Sequence, residues 1–201
     1  MLIVISGIDG TGKTLQVNML ENWYQMQGKR VAIVKAYSDD VKIACRHFVD
    51  TWTNQMAIMF LFQALHAQQY TAAMNALQKG EVVIADRWDE SYLAYHSCFG
   101  VLAEQQDLRN RLNEMAFRNV TPDYGFVITV PAEVARKRRL SRGKVERLED
   151  RDDQYYETIQ AAYCRIACQR KWQIIDGTKT PEEIHQKITK FLEKMVKAAV
   201  Q

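Results

Sequence analysis

A chain of 201 residues, 47% hydrophobic and 25% charged, has the size and composition of a single globular domain with a substantial core. Its net charge of +3 is too small to argue for a nucleic-acid or membrane partner. No stretch approaches the ~18 apolar residues of a membrane span.

The four cysteines, Cys45, Cys98, Cys164 and Cys168, have neither Cys-x-x-Cys spacing nor a histidine at zinc-site distance. Cys164 and Cys168 share a helix face and read as two small buried hydrophobes. The amino-terminal apolar run is too short for a secretory signal. A reduced, cytoplasmic protein is the expectation.

Leu2-Ile3-Val4-Ile5 is apolar and rich in β-branched residues, as a strand buried on both faces requires. It runs into Gly7-Ile8-Asp9-Gly10-Thr11-Gly12-Lys13-Thr14, a full match to G-x-x-x-x-G-K-[ST], and then into helical spacing. That order of strand, glycine loop and helix is what a phosphate-binding loop needs. Gly7, Gly10 and Gly12 let the backbone wind until successive N–H groups, Thr11's among them, aim at one anion, and the helix N-terminus adds its positive end. In such a loop Lys13 meets the β- and γ-phosphates of a nucleoside triphosphate and the Thr14 hydroxyl ligates Mg²⁺.

Lys13 to Gln27 carries Leu15, Met19, Leu20, Trp23 and Met26 at helical spacing, and Gly28 ends it. Val31 to Val34 is a second buried strand, completing a right-handed β-α-β unit. Lys35 to Asp50 is polar and mixed, a loop with a short helix. Trp52 to Gln78 is the longest periodic segment. One stripe runs through Met56, Met59, Phe60, Ala67, Tyr70, Met74 and Leu77, and a second face carries Ile58, Leu61, Phe62 and Leu65. A helix apolar on two sides is buried on two sides: against its sheet, and against a subunit partner or a ligand cleft.

Val82 to Ala85 is a third strand, finishing in Asp86-Arg87-Trp88. Ligands gather at the carboxyl ends of strands in open α/β sheets, so Asp86 is read as a metal-shell carboxylate, the other reading being a capping aspartate. Arg87 stands where an unpaired cation is costly and therefore needs an anion, either an acceptor phosphate or a structural carboxylate. Asp89 to Ser97 and Glu104 to Arg118 read as helices. Tyr124 to Val130 is a fourth strand. Pro131 then opens a helix as its first residue.

That helix becomes strongly basic from Arg136 to Arg151, with Gly143 in its middle. The run has three readings: a solvated helix face, a nucleic-acid contact, or a mobile flap whose arginines close over ATP. The absence of interleaved aromatic residues disfavours the second. Gly143, and a place following a strand end, favour the third. Tyr155 to Arg170 is helical, Trp172 to Ile175 a fifth strand, and Thr180-Pro181-Glu182-Glu183 a capping box before the last helix. Five buried strands alternating with helices make a three-layer α/β domain.

The loop with its following Gln16, the block Asp86-Arg87-aromatic-x-x-Ser91-x-x-Ala94-Tyr95, Thr121-Pro122-Asp123, and Pro131-Ala132-Glu133 through Arg138 and Arg142-Gly143 to Arg147-Leu148-Glu149 together resemble the thymidylate kinase family. The blocks keep family order and spacing from Ile3 to about Leu192. The resemblance implies a three-layer P-loop kinase fold with a five-stranded parallel sheet, one domain over 1–201 with a basic flap at about 136–151, and a homodimer packed through the long helix. It implies transfer of the ATP γ-phosphoryl group to a nucleoside monophosphate acceptor, dTMP first, with Mg²⁺ and with no nucleic-acid or membrane partner. By the same resemblance Lys13, Thr14 and Arg138 serve ATP. Asp9 faces the acceptor's sugar and phosphate, Arg87 grips the acceptor phosphate, Phe62 stacks on its base, and Tyr95 lines its site. Some members carry a catalytic arginine where this loop has Gly10; the resemblance moves that role to Arg142.

The departures lie on the acceptor side. After the second strand the chain has Lys35-Ala36-Tyr37, without the family's Arg-Glu-Pro or Arg-Phe-Pro. His66 stands where members place an arginine, and the bulky Tyr92 stands where they have a small residue. These departures favour an alternative, a kinase of another nucleoside monophosphate or of a nucleoside. A rival from another class is a nucleotide-binding regulator without turnover, against which intact Lys13, Thr14, Asp86, Arg87 and Arg142 speak.

Overall fold

The structure, a computed structural model, describes residues 1–36, 45, 47–48, 51, 53–141 and 151–199. Its centre is a five-stranded, all-parallel sheet of β1 (Leu2–Ser6), β2 (Val31–Lys35), β3 (Val82–Asp86), β4 (Tyr124–Thr129) and β5 (Gln173–Asp176), in the order β2-β3-β1-β4-β5. Seven helices are described: α1 (Lys13–Met26), α2 (Gln55–Gln78), α3 (Asp89–Cys98), α4 (Gln106–Phe117), α5 (Ala132–Leu140), α6 (Asp153–Gln169) and α7 (Pro181–Ala199).

Because side chains alternate along a strand, β1 feeds two cores. Ile3 and Ile5 join Val17 and Leu20 of α1 and Ile184, Ile188 and Leu192 of α7. Leu2 and Val4 face the other way, into a cluster with Ala73 of α2, Ala94 of α3, Phe117 of α4, Ala135 of α5 and Tyr163 of α6. The expected three-layer α/β architecture follows from that division.

Helix starts follow local chemistry. Asn54 caps α2 through its side chain, accepting from Met56 N at 2.9 Å and Ala57 N at 3.2 Å. Thr180 and Glu183 form the expected reciprocal capping box: Glu183 accepts from Thr180 N at 2.9 Å, and Thr180 Oγ1 accepts from Glu183 N at 3.2 Å. Pro131 departs from expectation. It is the cap preceding α5, with ψ 140°, and its carbonyl accepts from Val134 N at 2.9 Å.

The fifth strand begins at Gln173, one residue later than the apolar run suggests. Trp172 is still held by the end of α6, donating its N–H to Ala167 O at 2.8 Å. The Trp172 ring lies on Gly125 of β4, so close that a Cβ there would sit 1.8 Å from a ring atom. Gly125→Ala is accordingly expected to destabilise the fold by about 2 kcal/mol. Denaturant melts and Trp172 emission would check this, and an unchanged midpoint would contradict it.

Two further expectations change. Cys168 is exposed and Cys164 half-exposed, so α6 does not bury that pair; all four thiols are free. On α2, Phe60 of the apolar stripe is 54% exposed while Gln63 and Gln69 are buried. The inner face of that helix is therefore partly polar, and part of its apolar stripe is uncovered. Trp52, most of 37–50 including Tyr37, and 142–150 with Arg142, Gly143 and Arg147 lie outside the described residues. No described helix is long and apolar enough to cross a membrane.

Candidate active site

The carboxyl ends of β1 and β3, adjacent in the sheet, carry the site. After β1 the chain enters the glycine loop, and its glycines are required by contact as well as conformation. A Cβ on Gly7 would lie 2.3 Å from Ile128 O, and one on Gly10, at φ +94°, 2.4 Å from Ala135 O. The loop is thus wedged between the end of β4 and the backbone of α5. Thr11 Oγ1 and Lys13 Nζ both donate to Ile8 O, at 3.0 and 2.9 Å, which closes the turn around the N-terminus of α1.

From β3, Asp86 and Arg87 fork in two directions. Asp86 Oδ2 accepts from Thr14 Oγ1 at 3.2 Å. Arg87 adopts φ +69°, a left-handed conformation costly for a side chain of this size and concentrated at functional sites. That turn is held by its N–H donating to Ile5 O at 3.1 Å and its carbonyl accepting from Gln69 Nε2 at 2.8 Å. Arg87 Nη2 then meets Asp9 Oδ1 at 2.6 Å, and Nη1 donates to the Tyr163 hydroxyl and reaches Ser91 Oγ at 3.5 Å. The rings of Tyr95 and Tyr163 each lie 5.7 Å from the guanidinium carbon.

Asp9 also receives Lys13 Nζ at 3.5 Å, so one carboxylate serves two cations. Burial alone would raise its pKa, but Arg87 and then Lys13 outweigh that and hold it well below the usual carboxylate range. Burial, followed by repulsion from Arg87, pulls Lys13 down to about 8 despite Asp9 and Asp86. Burial opposes the Arg87 charge, but Tyr163 and Asp9 more than offset it, so Arg87 stays protonated.

Behind Arg87 runs a relay that sequence reading missed. The Tyr163 hydroxyl bonds Ser91 Oγ at 2.7 Å; Ser91 Oγ donates to Glu90 Oε1 at 3.3 Å, and Ser6 Oγ donates to the same oxygen at 2.6 Å. Glu90, fully buried, also accepts from Trp88 N at 3.0 Å, and burial together with nearby Asp89 raises its pKa. A carboxylate two residues after Trp88, in the first turn of a helix, was a visible signal. Tyr163, far along the chain, offered none. Beside the relay Asp89 and Arg170 form a two-bond ion pair, at 2.6 and 2.5 Å, tying α3 to the end of α6.

Lys13, Thr14, Asp9, Asp86, Arg87 and Tyr95 thus converge. Phe62 is half-buried on α2. His66 and Tyr92 make their contacts elsewhere. His66 Nδ1 bonds Gln63 Oε1 at 3.1 Å, and its ring lies 5.2 Å from Phe117 and 6.1 Å from Tyr92. Tyr92 is 2% exposed, packed with Met59 and Leu102 and against the His96 ring at 4.7 Å. Burial, with His96 adding to it, lowers the pKa of His66 to about 3, so its ring is neutral at physiological pH. Arg138 donates to Gly177 O at 3.0 Å, beyond the end of β5.

The Thr14 hydroxyl and the Asp86 carboxylate are hard oxygen donors at one point, a pair suited to Mg²⁺, which keeps most of its shell as water and phosphate. Lys13 and the loop amides are suited to a polyphosphate, and Arg87 to a second anion.

The sequence model of the thymidylate kinase family matches residues 5–188. A thymidylate kinase of Fervidobacterium nodosum is 33% identical over 196 residues, covering 94% of this chain and 97% of the relative. Thymidylate kinases of Thermosipho melanesiensis and Thermosipho africanus are 30% and 29% identical, covering 98% and 96% of this chain.

Proposed function

The chain belongs to the thymidylate kinase family, and we propose that it transfers the γ-phosphoryl group of ATP to dTMP, giving dTDP. The observation that carries this reading is the fork at the end of β3. Asp86 turns to Thr14 on the triphosphate side, and the next residue, Arg87, turns to Asp9 and the tyrosines on the other. Two anion sites addressed from adjacent residues bring a donor and an acceptor phosphate together.

Phosphoryl transfer of this kind needs little covalent help from the protein; positioning and charge compensation do most of the work. Lys13 and the loop amides hold the donor's β- and γ-phosphates. Arg87, oriented by Asp9 and Tyr163 before any ligand arrives, holds the acceptor phosphate in line with the γ-phosphorus. The anionic Asp9 between the two cations keeps them from collapsing onto one phosphate. Thr14 and Asp86 would hold Mg²⁺, which when bound neutralises charge on the donor phosphates. Arg138 is proposed to contact the donor nucleotide, and Arg142 to supply the catalytic cation that Gly10 does not. Phe62, with His66 and Tyr95, is proposed to border the acceptor nucleoside, while the buried Tyr92 packs with Met59 and Leu102. Pairing of two copies through α2 has support in the exposed Phe60 on that helix. A cytoplasmic site of action goes with this reading.

The deciding experiment is a coupled assay of ADP release over the common nucleoside monophosphates and nucleosides. Preference for dTMP supports the proposal. Preference for another acceptor favours the alternative that a neutral His66 suggests, and ATP binding without turnover on any acceptor leaves a regulator.

The Lys13 pKa gives a pH prediction. In the free enzyme the ammonium loses its proton as pH rises through about 8, so kcat/KM for ATP is expected to fall about tenfold per unit above that point. The fall in kcat should begin at higher pH, because bound phosphates favour the charged amine. A kcat/KM profile flat to about pH 9.5 would contradict the assignment.

A further inference from the structure

The four basic residues of α5 are not alike. Arg136 is exposed and pairs with Asp153 at 3.2 Å, Lys137 is exposed, and Arg138 reaches Gly177 O. Arg139 is 3% exposed. Its Nη1 donates to the backbone carbonyl of Asp9 at 3.0 Å, and its guanidinium carbon lies 3.7 Å from the centre of the Tyr156 ring. Among the described residues no carboxylate pairs with it. A buried guanidinium has to be satisfied by what surrounds it, and a solvated helix face does not bury one.

What Arg139 touches explains its burial. The Asp9 carbonyl belongs to the peptide joining Asp9 to Gly10. One helical turn before Arg139, the Ala135 backbone comes so close to Gly10 that no side chain fits between them. Helix α5 therefore grips the loop at two adjacent points: Ala135 by contact and Arg139 by a charge-assisted hydrogen bond. The Tyr156 ring of α6 lies against the guanidinium. From the other end of the same residue the Asp9 carboxylate projects to Arg87 and Lys13.

We propose that Arg139 is a positioning residue: by holding the Asp9–Gly10 peptide it keeps the Asp9 carboxylate, and through it Arg87 and Lys13, in register for transfer. The kinetic part of the proposal rests on the phosphoryl-transfer reading; the anchoring part does not. A residue that merely packs α5 on α6 would affect thermal stability and leave turnover by the folded enzyme alone.

The test compares Arg139→Met, which keeps bulk and removes both donor and charge, with Arg139→Lys, which keeps one charged donor. Arg139→Met is expected to speed amide exchange in the segment from Gly7 to Lys13 about tenfold. It should also lower kcat about 30-fold, with KM for ATP changed less than about threefold. Arg139→Lys should recover part of both losses. Loop exchange at the wild-type rate in a folded Arg139→Met protein overturns the proposal, as does equal kcat for the two variants. If methionine prevents folding, Arg139→Gln, a neutral donor, takes its place in the comparison. Should the wild-type protein turn over no dTMP, the acceptor assignment fails, while the exchange measurement still decides the role of Arg139.

Discussion

Arg87→Met is expected to lower kcat/KM for the acceptor by roughly 10³-fold while KM for ATP stays close to that of the wild type. The guanidinium is oriented in advance by Asp9 at 2.6 Å and by Tyr163, so little reorganisation opposes its contact with the acceptor phosphate. Methionine removes the charge and leaves Asp9 with Lys13 alone, which draws the lysine toward the carboxylate and away from its task. Arg87→Lys should recover only part of the activity, because one ammonium cannot reach Asp9, Tyr163 and a phosphate with the geometry of a fork. Steady-state kinetics with the acceptor varied provide the check. A loss below about tenfold would make Arg87 a structural ion pair whose φ of +69° serves only the turn.

Lys13→Met is expected to cost about 10³-fold in kcat with the fold intact. Lys13 is 7% exposed and its ammonium is bonded to Ile8 O and Asp9, so methionine replaces its buried stem at similar volume and removes only the charge. The loss should appear in kcat more than in KM for ATP, since charge on the transferring group is greatest in the transition state and the loop amides still bind the ground state. A loss confined to KM would mean that Lys13 binds phosphate without stabilising transfer. Circular dichroism of the variant separates either outcome from unfolding.

Much of the architecture was legible because parallel strands read as short apolar runs between helical segments, even though the edge strands β2 and β5 are only partly buried. The phosphate loop was legible because its chemistry is contiguous. What the sequence hid is set by tertiary pairing. Tyr163 reaches Arg87 across 76 positions, and nothing in its own helix marks it. Arg139 sits in a basic run that reads as uniform, yet among its described residues only Arg139 is buried, where α5 abuts the loop. Gln63 and Gln69 broke the apolar pattern of α2 but are buried, Gln69 because it secures the Arg87 carbonyl. A histidine in water is partly charged near neutral pH, but burial beside Phe117 keeps His66 neutral. The flap reading of Arg142 lies outside the described residues.

The strand order has a consequence for how the chain comes off the ribosome. Of the five strands β1 is made before the others, yet it is the middle of the sheet, with β3 and β4 as neighbours: Ile3 pairs with Ile84 on one side and Tyr124 on the other. Synthesis of the intervening chain takes on the order of 10 s at ordinary elongation rates. For that interval Leu2–Ile5 is an apolar ribbon with two open edges, the kind of segment that associates with others like it. A fragment ending before Tyr124 leaves one of those edges bare permanently. Yield on expression should therefore improve with slower, cooler synthesis or with added chaperone, and amino-terminal fragments should aggregate.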